Sequence, residues 1–337
     1  MSTAYDRILL AHGGGGSLSG RLIREIFLPA FENPTLSRLG DSAHVELGTG
    51  RLAFTTDAYV VSPPFFPGGD IGTLAVAGTV NDLAVAGAIP SYLSCAFVLE
   101  EGLPLDDLRR VVASMAATAR EAGVTLVTGD TKVVERGSAD QLFIVTAGIG
   151  AMRELPEGWG APRPGDVMLV NGHVGDHGFA VLAARKGLDF ETPIRSDCAP
   201  LNGLIDALFA ERLGLRFLRD ATRGGLAAVA NELAAGHGWG VALTSHAIPV
   251  NPAVRSLGEI LGIDPLFAAN EGKIVVVVAR EDAERALEIM RGHSRGADAA
   301  AIGVIEADLG GLVTLDTELG GRRVLDMPLG EQLPRIC

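Results

Sequence analysis

Two runs of alternating strand-like and helix-like segments, split by one Pro/Gly-rich stretch, constrain the fold of this chain most tightly. In the first run, 51–56 (RLAFTT) alternates as a strand that ends at Asp57, and 68–87 reads as a long helix of small residues. Residues 92–99 predict a second strand. Leu105, Leu108, Val112, Met115 and Ala119 recur at helical spacing, with Asp106 and Asp107 where the helix dipole favours acid. Residues 124–128 predict a strand running into a turn at Gly129-Asp130-Thr131-Lys132, and 142–149 another strand. In the second run, strands are expected at 167–170, 274–279 and 301–305, and helices near 179–186, 201–213, 225–235 and 282–292. Such alternation gives an α/β or α+β class. The segment 153–165 (RELPEGWGAPRPG) is the expected boundary. The expected division is a Gly-rich segment 1–20, an N-terminal domain 21–152, a C-terminal domain 166–325 and a flexible tail 326–337. The shared grammar of the halves hints at a distant duplication.

Composition narrows the function. Of 337 residues, 47% are hydrophobic, enough for a sizeable core, and the net charge of −13 argues against a nucleic-acid binder. Excess acid is usually solvated surface, but carboxylates also hold hard cations such as Mg²⁺. No apolar run reaches the ~18 residues of a membrane span, and no signal peptide is read. Cys95, Cys198 and Cys337 form no CxxC pair, so neither a disulfide framework nor a zinc site is indicated. A cytoplasmic location is expected.

Several acids stand where chemistry can use them. Asp57 follows Thr55-Thr56, and Asp41 follows Gly40. Asp82 sits inside an otherwise apolar helix, where an acid is costly unless paired, capped or bound to a cation. Asp130 and Lys132 sit at an expected strand end, the usual ligand edge of an α/β sheet. Together these acids could hold Mg²⁺ that bridges nucleotide phosphates, or be partnered core acids.

Other segments offer anion sites. Asp220-Ala221-Thr222-Arg223-Gly224-Gly225 precedes a helix, where free N–H groups and an Arg fork suit phosphate, unless Thr222 is an ordinary N-cap. His12-Gly13-Gly14-Gly15-Gly16 reads either as a flexible linker or as a flap closing on a phosphate. In Asn270-Glu271-Gly272-Lys273, Glu271 is either a solvated turn residue or a general base. His173 and His177 have the i, i+4 spacing of a metal pair, but their Gly-rich surroundings favour a loop entering a helix. No Walker A pattern and no strand-linked GxGxxG is present, so any nucleotide site is neither a P-loop nor a Rossmann site.

The sequence stops at Pro334-Arg335-Ile336-Cys337, after Pro328 and Gly330. This tail reads as extended, with a reach of roughly 30 Å. A thiol there suits a group carrier or a nucleophile delivered to a distant site. A lipidated scaffold is a poor alternative, because the common prenylation signal places its Cys four residues from the end.

Taken in order, FTTDAYVVSPPFFPGGDIG (54–72), GTVNDLAVAGAIP (78–90), GDTKVV (129–134), NGHVGDHG (171–178), DATRGGLA (220–227), ANEGK (269–273) and the final PRIC resemble the hydrogenase expression/formation protein HypE family. That family lies in the PurM-like superfamily of aminoimidazole ribonucleotide and selenophosphate synthetases. The resemblance implies a two-domain PurM-like fold and a homodimer built on the mixed sheet of the N-terminal domains. It implies ATP-dependent dehydration of a carbamoyl group carried on Cys337 to a thiocyanate, whose cyano group goes to the iron of the [NiFe]-hydrogenase centre. Lys132 and Glu271 are implied beside the thiocarbamate. Asp57, Asp82 and Asp130, and less directly Asp41 and Asp220, are implied to hold Mg²⁺–ATP. His12, Gly13, Gly14, Gly15, Gly16, Thr131, Thr222, Arg223 and Asn270 complete the expected nucleotide contacts. The implied partners are a HypF-type carbamoyltransferase as donor and a HypC–HypD-type scaffold as cyanide acceptor. A superfamily kinase or synthetase acting on a free small molecule is the competing reading. It gives Cys337 no role.

Overall fold

A computed structural model of the chain describes residues 6–9, 12, 17–38, 50–185, 193–317, 320–327, 333 and 335–337. The chain divides into two compact units, Met1–Arg153 with Cys337, and Glu154–Ile336.

In the first unit, α1 (Ser17–Leu22) passes through a π turn into α2 (Leu28–Phe31). β1 (Leu52–Tyr59), the two-residue strands β2 (Phe65–Phe66) and β3 (Gly69–Asp70), and α3 (Ile71–Val85) follow. Then come β4 (Ala88–Glu100), α4 (Leu105–Ala122), β5 (Thr125–Val134) and β6 (Leu142–Met152). The described residues form a four-stranded sheet in the order β1-β6-β4-β5, antiparallel except for the parallel β4–β5 pair.

α3 is buried almost all round, which its small apolar residues permit. Asp70 starts it by accepting the N–H groups of Gly72 and Thr73 at 2.8 and 2.9 Å, and Ser114 of α4 donates to the same carboxylate at 2.6 Å. α4 turns its Leu105, Leu108, Val112, Met115 and Ala119 inward, as their spacing predicts, and Gly123 closes it at φ +70°. The sheet face away from α3 carries exposed apolar side chains. Leu52 and Ile89 both pair with Ala151 and so share that face; Phe54 on it is 72% exposed.

The second unit runs β7 (Val167–Val170), α5 (Asp176–Ala184), α6 (Asn202–Ala210), β8 (Leu215–Asp220), α7 (Gly225–His237) and β9 (Gly240–Thr244). It continues with α8 (Pro252–Leu261), β10 (Ile274–Val278), α9 (Ala283–Gly292), β11 (Ala300–Glu306), β12 (Val313–Asp316) and β13 (Arg322–Val324). The described strands form one sheet in the order β13-β12-β9-β11-β7-β10-β8. β10 reads IVVVV and every residue is buried, because it lies between β7 and β8 with apolar cover on both faces. Each such side chain contributes about 1.5–3 kcal/mol over leaving it exposed.

Two local expectations change. β1 continues past Asp57 to Tyr59 because it stays paired with β6 through Tyr59↔Ile144. Asp130 and Lys132 lie inside β5, not in a turn, because parallel pairing with β4 persists to Glu100↔Val134. Among the described residues no helix is long and apolar enough to cross a membrane.

Candidate functional site

Asp57 and Asp82 come together where α3 packs on β1. Thr55 donates to Asp82 Oδ2 at 2.9 Å, and Thr79 donates to Asp57 Oδ2 at 3.4 Å. Burial pushes the Asp57 carboxyl up to about 6, with the Asp82 charge and a hydrogen bond shared with Asp82 adding to the rise. Hydrogen bonds from Thr79 and Tyr59 oppose it. The Tyr59 hydroxyl lies 3.3 Å from that of Thr79, which is 2.6 Å from the Thr146 hydroxyl. Gly78 makes room for this group, since a Cβ there would collide with the Tyr59 hydroxyl. Two crowded carboxylates ringed by hydroxyls suit a divalent cation. Sequence alone flagged both acids but missed Tyr59, Thr79 and Thr146.

Asp130 and Lys132 are brought to one another but not to Asp57. Lys132 Nζ lies 2.9 Å from Asp130 Oδ2, and both side chains are exposed. Asp57 pairs with Thr146, Thr146 with Cys95 and Cys95 with Gly129, so these four share a sheet face. Strand alternation then puts Asp130 and Lys132 on the opposite face, while Thr131 returns to the face of Asp57. Lys132 holds Asp130 below the usual carboxylate range, first by its hydrogen bond, aided by the Thr131 N–H.

The main-chain oxygen of Cys337 accepts the Val60 N–H at 3.1 Å, one residue past β1. Cys337 is half-buried, whereas Cys95 and Cys198 are buried. Burial raises the Cys95 thiol far above its ordinary value, so that cysteine packs rather than reacts. In the same unit, His12 is buried and its Nδ1 accepts the Leu9 N–H at 2.9 Å.

The second unit holds a buried polar cluster around 270–273. Asn270 is committed to main chain: its Oδ1 accepts the Gly175 N–H at 2.7 Å, and its Nδ2 donates to Ala221 O at 2.8 Å. Glu271 is buried rather than solvated, and its N–H donates to Asp197 Oδ1 at 3.1 Å. Lys273 donates to Asp197 Oδ2 at 3.0 Å. Burial pushes Asp197 up, but Lys273, His177 and the Glu271 N–H together hold it below the usual range. Asp176 goes the other way, to about 6, through burial and then the Asp197 charge, against Lys273. Asp176 and Asp197 escaped sequence reasoning, and His177 entered it only as half of a metal pair, because their partners are distant in the chain.

Asp220 ends β8 and is buried. α7 begins beyond it without the side-chain cap considered for Thr222: the N-cap is Gly224 at φ +75°, and Arg223 is exposed. Gly225 is required, since a Cβ there would lie 2.5 Å from Ala268 O. His173 faces Asp298 at 3.6 Å, and both ring nitrogens of His177 have protein partners, so the two do not form a metal pair. Asp41 and Gly13, Gly14, Gly15 and Gly16 lie outside the described residues.

The fold and this distribution of residues have known counterparts. Residues 39–152 match the family described as AIR synthase related protein, N-terminal domain, and residues 163–316 its C-terminal domain. The carbamoyl dehydratase HypE of Azotobacter vinelandii is 52% identical over 97% of this chain and 96% of its own length. The chain belongs to the HypE family. A crystal structure of the hydrogenase maturation protein HypE in complex with ATP superposes with a TM-score of 0.93 at 50% identity, covering 98% of this chain and 99% of that one. HypE in a HypE–HypF complex superposes with a TM-score of 0.78 at 49% identity, over 91% of this chain and 99% of that one. The PurM-like fold of HypE structures is therefore the fold of this chain.

Proposed function

We propose that this chain is an ATP-dependent carbamoyl dehydratase of [NiFe]-hydrogenase maturation, acting on a thiocarbamate carried by its own Cys337. The supporting observation is the seating of Cys337 on Val60, three residues beyond Asp57 on the β1 segment. The full-length likeness to HypE favours this reading over a kinase for a free small molecule.

Removing water from a carboxamide requires a leaving group on oxygen and a base for two N–H protons. The thiocarbamate oxygen attacks the γ-phosphorus of ATP and ADP leaves; loss of that oxygen as phosphate, with both N–H protons given up, leaves S–C≡N on Cys337. Glu271, which is buried, is the proposed base, and exclusion of water would spare the activated carbon from hydrolysis. Lys132 offsets charge on the transferring phosphoryl group. The Gly13–Gly16 run, His12, Thr131, Asp220, Thr222 and Arg223 are proposed on the nucleotide side. Asn270 acts there by fixing its loop.

Mg²⁺ fits the Asp57–Asp82 pair, because a cation offsets both the burial and the Asp82 charge that raise Asp57. Among the described residues no cluster of three metal-ligating side chains occurs, so ATP phosphate oxygens would fill the remaining positions. When bound, the ion neutralises phosphate charge. Asp41 and Asp220 remain further candidate ligands, whereas Asp130 lies on the opposite face of the sheet from this pair.

The exposed face with Leu52, Phe54, Ile89 and Val145 supports a homodimer built on the β1-β6-β4-β5 sheet. A HypF-type donor, a HypC–HypD-type acceptor and a cytoplasmic setting complete the proposal. Phosphate release from ATP tests it. Release should require a carbamoylated Cys337, and Cys337→Ala should show none; equal release from the variant would refute the proposal.

A further inference from the structure

The proposed chemistry leaves His177 without a task. Its ring is wholly buried in the first turn of α5. Nε2 lies 2.9 Å from the main-chain oxygen of Ile336, and Nδ1 lies 2.8 Å from Ser196 Oγ. A carbonyl oxygen only accepts, so Nε2 carries the proton and Nδ1 does not. Ser196 must therefore donate to Nδ1, and its oxygen also accepts the Cys198 N–H at 3.0 Å. Burial favours the neutral ring this arrangement needs.

The same stretch is gripped at other points. Arg185 donates to Arg335 O at 3.0 Å. Ile336 is fully buried, and Leu333 packs on Gly178, next to His177. Arg335 is held at φ +55°, a left-handed conformation that L side chains seldom adopt. The bonds to Arg335 O and Ile336 O hold that unfavourable residue and the one after it in place.

We infer that His177 is a positioning residue that latches the Cys337 segment, its Nε2–H fixing the main chain one residue before the cysteine in a tautomer that Ser196 supports by donating to Nδ1. The purpose of the latch rests on the reading of Cys337 as carrier; its geometry does not. A closed latch presents the thiocarbamate for dehydration. An open one lets the thiol accept a carbamoyl group or hand over cyanide.

Alkylation of Cys337 by iodoacetamide in the full-length chain tests the latch, with buried Cys95 and Cys198 as internal controls. His177→Ala, folded by circular dichroism, should raise the Cys337 rate about tenfold, since a buried hydrogen bond is lost. His177→Gln, whose amide N–H can donate, should restore most of the protection. Should His177→Ala fail to fold, Ser196→Ala serves instead: it frees Nδ1 and should raise the rate severalfold. Wild-type rates in a folded His177→Ala or Ser196→Ala protein would overturn the inference, as would ¹⁵N shifts placing the His177 proton on Nδ1. Alkylation needs neither ATP nor a carbamoyl group, so its result is independent of whether the dehydratase reading holds.

Discussion

Asp57 and Asp82 lie side by side where α3 meets β1, and burial, with the Asp82 charge added to it, lifts Asp57 to about 6. Two acids held so close cannot both ionise at low cost unless a cation joins them. The pair therefore sets the conditions under which this unit can hold Mg²⁺–ATP.

The first consequence is a pH dependence of ligand binding. Above about pH 6 Asp57 is ionised and available to the ion; below it, a proton competes. Calorimetric titration with Mg²⁺–ATP should show affinity rising through about pH 6 and then levelling. Asp57→Asn should bind at least tenfold more weakly, with this step absent. A variant that kept the wild-type profile would remove Asp57 from the site.

The same shift acts on stability with opposite sign. Asp57 and Asp176 both sit near 6 in the folded chain, above the ordinary aspartate value of 3.8. The folded state binds the extra protons, so this stabilising contribution is full below about pH 4 and lost as pH rises through about 6. Asp197, held low, contributes the reverse: its stabilisation disappears as pH falls. Urea denaturation of Asp57→Asn without Mg²⁺ should show a smaller loss of stability between about pH 4 and pH 7 than the parent.

Lys273 and Asp197 form an ion pair at 3.0 Å with side chains 10% and 5% exposed. Removing one partner strands a buried charge, which costs about 3–5 kcal/mol. Lys273→Met should lower the unfolding free energy from urea titration by that amount, and the double variant Lys273→Met/Asp197→Asn should recover part of it. Equal stability of Lys273→Met and the parent would mean that the pair contributes nothing.

Gly225 and Gly238 flank α7, both at positive φ, but only Gly225 is crowded: a Cβ there would stand 2.5 Å from Ala268 O and 2.6 Å from Leu266 O. Gly238→Ala should cost about 1 kcal/mol for the backbone conformation alone. Gly225→Ala should cost clearly more, because the chain must also move away from two carbonyls. Thermal unfolding of the two variants compares them directly.

Elements with a clean period were legible in the sequence. The α4 stripe from Leu105 to Ala119 and the apolar run of β10 both lie where their patterns predict. Gly129-Asp130 misled because turn-like residues lie within a strand kept straight by its parallel neighbour, and no local signal reports a neighbour. Asp82 was visible as an acid in an apolar helix, but its contact with Asp57 depends on how α3 packs on β1. His177 was read only as half of a doubtful metal pair, since its partners Ser196 and Ile336 stand 19 and 159 residues away.

The central claim is that Cys337 carries the group being dehydrated. Mass spectrometry of the peptide containing Cys337, after carbamoylation and then addition of Mg²⁺–ATP, tests it most directly. The account predicts that this peptide, and neither that of Cys95 nor that of Cys198, loses the mass of one water only when ATP is present. A carbamoyl adduct on Cys337 that keeps its full mass while ATP is turned over would contradict it.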